Sequence, residues 1–171
     1  LAGTEELGVP FEFELGLLSE NPSIDPDEVL GKPLAVAIKL GTGWRYFHGM
    51  VTSFAKSGMT HRHTRYAATL NPFLSEFGHT SDCRVFNESG QDALSIATTV
   101  LAEDGLFDVE SGAVEGHVYR EREYCVQYQE SDLSFVQRLL EEEGIYYFFR
   151  HQENKHVMVL ADSITGHATV R

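Results

Sequence analysis

The strongest constraint in this sequence is an abrupt change of hydrophobic period at Gly144. From Ser131 onward, Phe135, Val136, Leu139 and Leu140 recur at i, i+1, i+4 and i+5, with Leu133 adjoining, which places one apolar stripe on a helix. Ser131 is a good N-cap, because its hydroxyl can accept from a free amide of the first turn, and Asp132 follows where the helix end is positive. Gly144 ends the helix, since glycine takes the left-handed backbone of a helix terminus at little cost. Ile145-Tyr146-Tyr147-Phe148-Phe149 then reads as extended chain, and after a polar turn from Gln152 to Lys155 the run Val157-Met158-Val159-Leu160 supplies a hairpin partner.

The rest of the chain is rich in strand signals. Phe11-Glu12-Phe13-Glu14-Leu15 alternates apolar and acidic residues, the pattern of a strand with one face in a core. Asn21 to Asp27 carries prolines, a serine and aspartates and reads as a loop, closed by a short turn from Asp27 to Leu30 and released by Gly31. Leu34 to Leu40 and Trp44 to Phe54 form a hairpin across Gly41-Thr42-Gly43. Both faces of the second arm are partly apolar, which predicts cover on two sides, and Gly49 predicts a bulge or a close backbone approach. A strand from His63 to Leu70 ends at Asn71-Pro72, because proline has no amide hydrogen for the ladder. A first helix is expected with Ser89 as cap, Asp92 near its positive end, Leu94, Ala97 and Leu101 on one stripe and Gly105 past its end. Roughly nine strands and two main helices make the expected fold class α+β and mainly β, with the helices packed on the sheets; Tyr147 and Phe149 are expected between barrel and helix.

Composition narrows the function. The chain has 171 residues, 42% of them hydrophobic, enough for a core of one domain or two small intertwined ones. Its formal charge of −13 opposes binding to a phosphate backbone, so nucleic acid is not an expected partner. Cys83 and Cys125 lack the paired spacing of a zinc site and read as buried or half-buried thiols. No apolar run approaches the ~20 residues that cross a bilayer as a helix. The start at Leu1 rather than Met leads to the expectation of an excised piece of a longer protein.

Residues that could carry chemistry are sparse. His61 and His63 would share one face of a strand and could ligate a metal given a third ligand, but Thr60, Arg62 and Thr64 around them predict a polar loop or edge with solvated histidines. Glu141, Glu142 and Glu143 could offer a general acid, yet consecutive helical residues point about 100° apart and cannot converge on one bond. A solvated face is the better account, and their place at the negative helix end is unexplained by sequence. Trp44, Tyr46 and Phe47 could stack a sugar or base, but aromatics of a hairpin are more often core. No phosphate loop, serine elbow or HExxH occurs, so the expectation is no catalytic, cofactor-binding or metal residues and no cofactor.

The segment from Arg122 through Ser131-Asp132-Leu133-Ser134-Phe135 to Glu141-Glu142-Glu143-Gly144-Ile145-Tyr146-Tyr147-Phe148 resembles the signature of the VgrG family of type VI secretion spike proteins. Phe11-Glu12-Phe13, Leu30-Gly31-Lys32-Pro33, Tyr46-Phe47-His48-Gly49-Met50-Val51-Thr52 and Cys83-Arg84-Val85-Phe86 fall in that family's order, so the resemblance spans nearly the whole chain. It implies residues 1–171 as a fragment of a phage baseplate hub-like N-terminal region, with a first barrel-like unit at about 1–75 continuing into a helix-containing unit at about 76–171. It further implies a homotrimer on the hexameric Hcp tube, with baseplate components and effectors as partners. Such a hub is assembled in the bacterial cytoplasm and then secreted or injected into target cells. The OB-fold neck and β-helical needle that would contact a membrane are not in this segment. Competing readings are a contractile phage or prophage tail hub, a spike-associated cell-wall hydrolase, and a metal- or sugar-binding module built on the histidines and Trp44.

Overall fold

The computed structural model describes residues 1–103, 105, 108–114 and 118–166, and they fall into two units. The first is Leu1–Phe73 with His151–His156, and the second is Leu74–Arg150 with Val157–Arg171. Among the described residues there are ten strands and two α-helices, one strand more than the sequence predicts, and the strands include a curled half-barrel sheet.

In the first unit β1 (Ala2–Thr4), β2 (Glu12–Ser19), β3 (Pro33–Lys39), β4 (Trp44–Met59) and β5 (Thr64–Asn71) pair antiparallel in the order β1-β2-β5-β4-β3. Alternation decides the faces. Phe13 and Leu15 of β2 are buried between exposed Glu12 and Glu14, while Thr64, Tyr66, Ala68 and Leu70 point inward from β5. Phe13 lies opposite Leu70 and Leu15 opposite Ala68, so the apolar residues meet as cross-strand pairs.

The second arm of the predicted hairpin runs on beyond Phe54, and β4 is 16 residues long. It is covered on both faces only from Tyr46 to Val51; Thr52 and Ser53 are exposed. Its register against β5 shifts between Val51 and Ser53 and again between Lys56 and Gly58, and such bulges increase local twist. Gly49 is the close approach rather than the bulge. A Cβ there would lie 3.0 Å from the Asn71 carbonyl oxygen, 3.1 Å from Leu70 Cβ and 3.2 Å from Phe11 Cε2.

In the second unit β6 (Ser81–Phe86) is followed by α1 (Ala93–Glu103), β7 (Val109–Ala113), β8 (Cys125–Ser131), α2 (Asp132–Glu142), β9 (Tyr146–His151) and β10 (His156–Ala161). β6 pairs antiparallel with β8, and β10 lies between β7, to which it is parallel, and β9. Flanked on both sides, β10 is buried along its whole length, which suits the unbroken apolar run from Val157 to Leu160. Gln129 adopts φ +50° where the β6–β8 register shifts, the left-handed residue of a bulge.

The two helices differ in how well their ends were legible. Ser131 caps α2 as expected, its Oγ accepting from the Ser134 amide at 3.1 Å. Gly144, at φ +71°, donates to the Glu141 carbonyl and Ile145 donates to that of Leu140, the paired bonds of a glycine-terminated helix. The predicted Ser89 cap of α1 is corrected: Asp92 Oδ1 accepts from the Ser95 amide at 2.7 Å, and Ser95 Oγ accepts from the Asp92 amide at 2.9 Å. Helix α1 begins later than expected, and its buried stripe is Ala93, Ile96, Ala97, Val100 and Leu101, with Leu94 only half-buried.

Helices α1 and α2 pack on each other. Phe135, Val136, Leu139 and Leu140 are buried, and the Phe135 ring stacks on Phe86 at 5.7 Å. Tyr147 meets α2, the helix side of its predicted setting, with its hydroxyl accepting from Gln137 Nε2 at 2.8 Å, and burial pushes the phenol up to about 12. Phe149 is half-buried with its edge on Tyr147. Phe135→Ala is expected to lower stability by ~3–5 kcal/mol in chemical denaturation, and a loss below about 1 kcal/mol would contradict its role as an anchor.

Candidate functional site

The residues singled out from sequence are scattered, and each sits in a structural setting. His61 is exposed and His63 half-buried in the turn between β4 and β5, where the Thr60 amide donates to the His63 carbonyl and the His63 amide donates to Thr60 Oγ1. Among the described residues no group of three His, Cys, Asp or Glu side chains is placed to hold a metal. Cys125 is buried, but Cys83 is exposed, which corrects its reading as a buried or half-buried thiol; neither is in a disulfide. Trp44 is 55% exposed at the start of β4, which corrects its reading as a core aromatic, while Tyr46 and Phe47 are half-buried.

The acidic end of α2 has a partner that the sequence did not reveal. Arg122 places Nη2 2.7 Å from Glu142 and 3.0 Å from Glu143, and Arg138 bridges Glu142 to Glu130 at 3.3 and 2.6 Å. Two guanidinium groups therefore offset Glu142 and Glu143 at a negative helix end, while Glu141 stands on an exposed face. Hydrogen bonding from Arg122, reinforced by its charge and by Arg138, holds the Glu142 carboxyl below the usual carboxylate range.

A buried carboxylate organises the other end of α2. Asp132 is 1% exposed; its Oδ2 accepts from Thr80 Oγ1 at 2.5 Å, its Oδ1 accepts from Gln127 Nε2 at 2.6 Å, and Arg84 Nη1 stands 3.4 Å away. The carboxylate thus joins the approach to β6, β6 itself, β8 and α2 through charge-assisted contacts.

Sequence reasoning also missed a cluster of three histidines in the first unit. His48 of β4 and His151 and His156, which flank the turn between β9 and β10, all lie inside. Phe11 stacks on Phe13 at 4.7 Å and presents an edge to His151 at 4.8 Å and to His156 at 5.6 Å. Phe47 abuts Phe13 at 5.3 Å, and the Arg45 guanidinium lies 4.9 Å over the Phe47 ring. The available signal was His48 alternating with Tyr46 and Met50, and a histidine at each end of one hairpin turn.

The sheet edges are the remaining surface feature. β1 and β3 flank the five-stranded sheet, and at the outer end of β3 Ile38 is 39% and Leu40 52% exposed, with Trp44 on the paired strand opposite Lys39. Nothing in this arrangement converges on a bond; it offers backbone donors and acceptors beside apolar side chains.

The ion pairs of α2 make a pH prediction. A carboxyl whose folded value is depressed contributes stability that is present above its unfolded value of ~4.3 and is lost as pH falls through the folded value. Arg122→Gln should therefore move the Glu142 midpoint upward in a carboxyl-carbon NMR titration and weaken the acid dependence of stability; an unmoved midpoint would show the pair to be idle.

Comparison with known proteins agrees with this architecture. The profile of the phage tail baseplate hub (GPD) family matches residues 4–171. Type VI secretion system spike protein VgrG1b of Pseudomonas aeruginosa is 43% identical over 98% of this chain, which covers 22% of that relative. The solved structure of an E. coli component of the type VI secretion system, described as structurally similar to the T4 phage tail proteins gp27 and gp5, aligns with a TM-score of 0.84 and 26% identity. That alignment covers 98% of this chain and 46% of the other. A chain of a Francisella PdpA-VgrG complex shares the fold at a TM-score of 0.65 and 10% identity, over 95% of this chain and 27% of that one. The chain thus spans about a quarter of the length of the curated relatives it matches. With a family match over nearly all of its residues and VgrG-type spike proteins among its relatives, the chain belongs to the phage tail baseplate hub family.

Proposed function

We infer that this chain is part of the hub of a type VI secretion spike, a scaffold that acts by assembly and mechanics and performs no bond chemistry of its own. The observation that carries the reading is 43% identity to a type VI spike protein across 98% of the chain. In this reading three copies of the parent protein form a ring on the Hcp tube, baseplate components and effectors attach to it, and membrane contact is made by regions this chain does not span. The first unit would be one barrel-like half of the hub and the second its helix-bearing continuation. Assembly would take place in the bacterial cytoplasm, followed by export through the type VI machine.

The open edge at β3 supports the reading physically. Unpaired strand edges with exposed apolar residues invite association, and a hub that must transmit force has reason to complete its sheets with neighbouring copies. A phage tail hub is the second reading, favoured by the family's own description as a baseplate hub. Co-purification of the parent protein with an Hcp tube protein separates the two.

Electron microscopy of the full-length parent should show threefold particles. Ile38→Lys, which adds a charge to the exposed end of β3, should weaken self-association by at least about tenfold in sedimentation. A parent protein that stays solitary would overturn the proposal, and turnover of peptidoglycan by this chain above background would revive the hydrolase alternative.

A further inference from the structure

The three imidazoles of the first unit come from distant parts of the chain, 103 and 108 residues separating His48 from His151 and His156. An imidazole nitrogen accepts a hydrogen bond only when it carries no proton, so the observed contacts fix where the protons are. The Phe73 amide donates to His156 Nε2 at 3.1 Å, which leaves the proton of a neutral His156 on Nδ1. That Nδ1 faces His48 Nδ1 at 3.0 Å, so His48 accepts there and, when neutral, carries its own proton on Nε2. One proton fits between the two Nδ1 atoms. A second on His48 Nδ1 would set two N–H groups against each other, and one on His156 Nε2 would meet the Phe73 N–H. Both side chains are buried, His48 at 6% and His156 at 7% exposure, so water does not readily relieve either clash.

His151 is built differently. Its Nδ1 lies 3.0 Å from both the amide nitrogen and the carbonyl oxygen of His48, and its Nε2 lies 3.0 Å from Glu5 Oε1. Unprotonated, Nδ1 accepts from the His48 amide; protonated, it gives up that bond and donates to the His48 carbonyl instead, and Glu5 balances the charge. Arg45 of β4 lies 3.8 Å from Glu5, and Glu153 and Lys155 lie on the turn itself. His151 therefore keeps an acceptor for each of its own N–H groups in the charged state, whereas a proton added at either of the two contacts of the neighbouring pair meets another N–H.

We propose that His48 and His156 form a proton-operated latch that holds the turn between β9 and β10 against the five-stranded sheet, closed while both rings are neutral and released when either gains a proton. The released state binds more protons than the closed one, so closure strengthens as pH rises and weakens as pH falls through the ordinary imidazole range near ~6.5. The turn at stake belongs to the first unit while most of β9 and β10 belongs to the second, so the latch acts where the chain returns to the sheet.

Nitrogen-edited NMR of the labelled chain at pH 8 tests the proton assignment directly: His156 should carry its proton on Nδ1 and His48 on Nε2. Hydrogen exchange at the Phe73 amide, corrected for the intrinsic rate, should then lose at least tenfold protection between pH 8 and pH 5.5, while Leu15 and Ala68 of the neighbouring strands stay protected. His156→Gln keeps an acceptor for Phe73 but cannot itself titrate, which leaves only His48 to respond, and should reduce that pH dependence; His61→Gln, in the exposed turn, should leave it intact. The proposal is overturned by a proton on His156 Nε2 at pH 8, by protection at Phe73 that persists with the pair charged, by uniform loss across all three amides, or by unchanged pH dependence in His156→Gln. Should His156→Gln fail to fold, the tautomer and exchange measurements on the unaltered chain decide alone.

Discussion

A carboxylate taken out of water has to be met by enough donors to replace the water it lost, and in the second unit that requirement organises the chain around Asp132. Thr80 just ahead of β6, Arg84 on β6 and Gln127 on β8 each approach the same two oxygens, and Asp132 is itself the first residue of α2. The group thus sets the direction in which α2 leaves the two-stranded sheet. Once that direction is set, Phe135 reaches Phe86 and the α2 stripe reaches α1. Removing the carboxylate would take an acceptor from Thr80, Arg84 and the fully buried Gln127 at once, so the contact is more demanding than its energy in isolation implies.

The legible part of the fold was the part written in local signals. Ser131, the spacing of Phe135, Val136, Leu139 and Leu140, and Gly144 each act within one or two turns of chain, and the structure keeps all of them. The alternation of Phe13 and Leu15 with glutamates was readable for the same reason. Asp92 shows the limit of such signals: Ser89 and Asp92 are both good caps, and the choice fell to Asp92 because Ser95 reciprocates its bond.

What sequence could not convey was partnership across distance. Glu141 to Glu143 looked misplaced at a negative helix end because Arg122 lies some twenty residues upstream, on a segment with no periodic pattern of its own. The histidine cluster was hidden more deeply, since no local pattern brings His48 beside residues more than a hundred positions later. Cys83 and Trp44 erred in the opposite direction: their residue types favour burial, but Cys83 lies on a two-stranded sheet and Trp44 at the start of a hairpin arm, where little chain is available to cover them.

The length of β4 has a mechanical meaning. It is hydrogen-bonded to β3 along its first half and to β5 along its second, with the two ladders overlapping only around Met50. Antiparallel ladder bonds stand perpendicular to the strands, so tension applied along β4 shears many of them at once instead of peeling them in succession. One continuous backbone segment thereby acts as a tie rod between two ladders, and stress entering beside β3 is handed to β5 without crossing a loop.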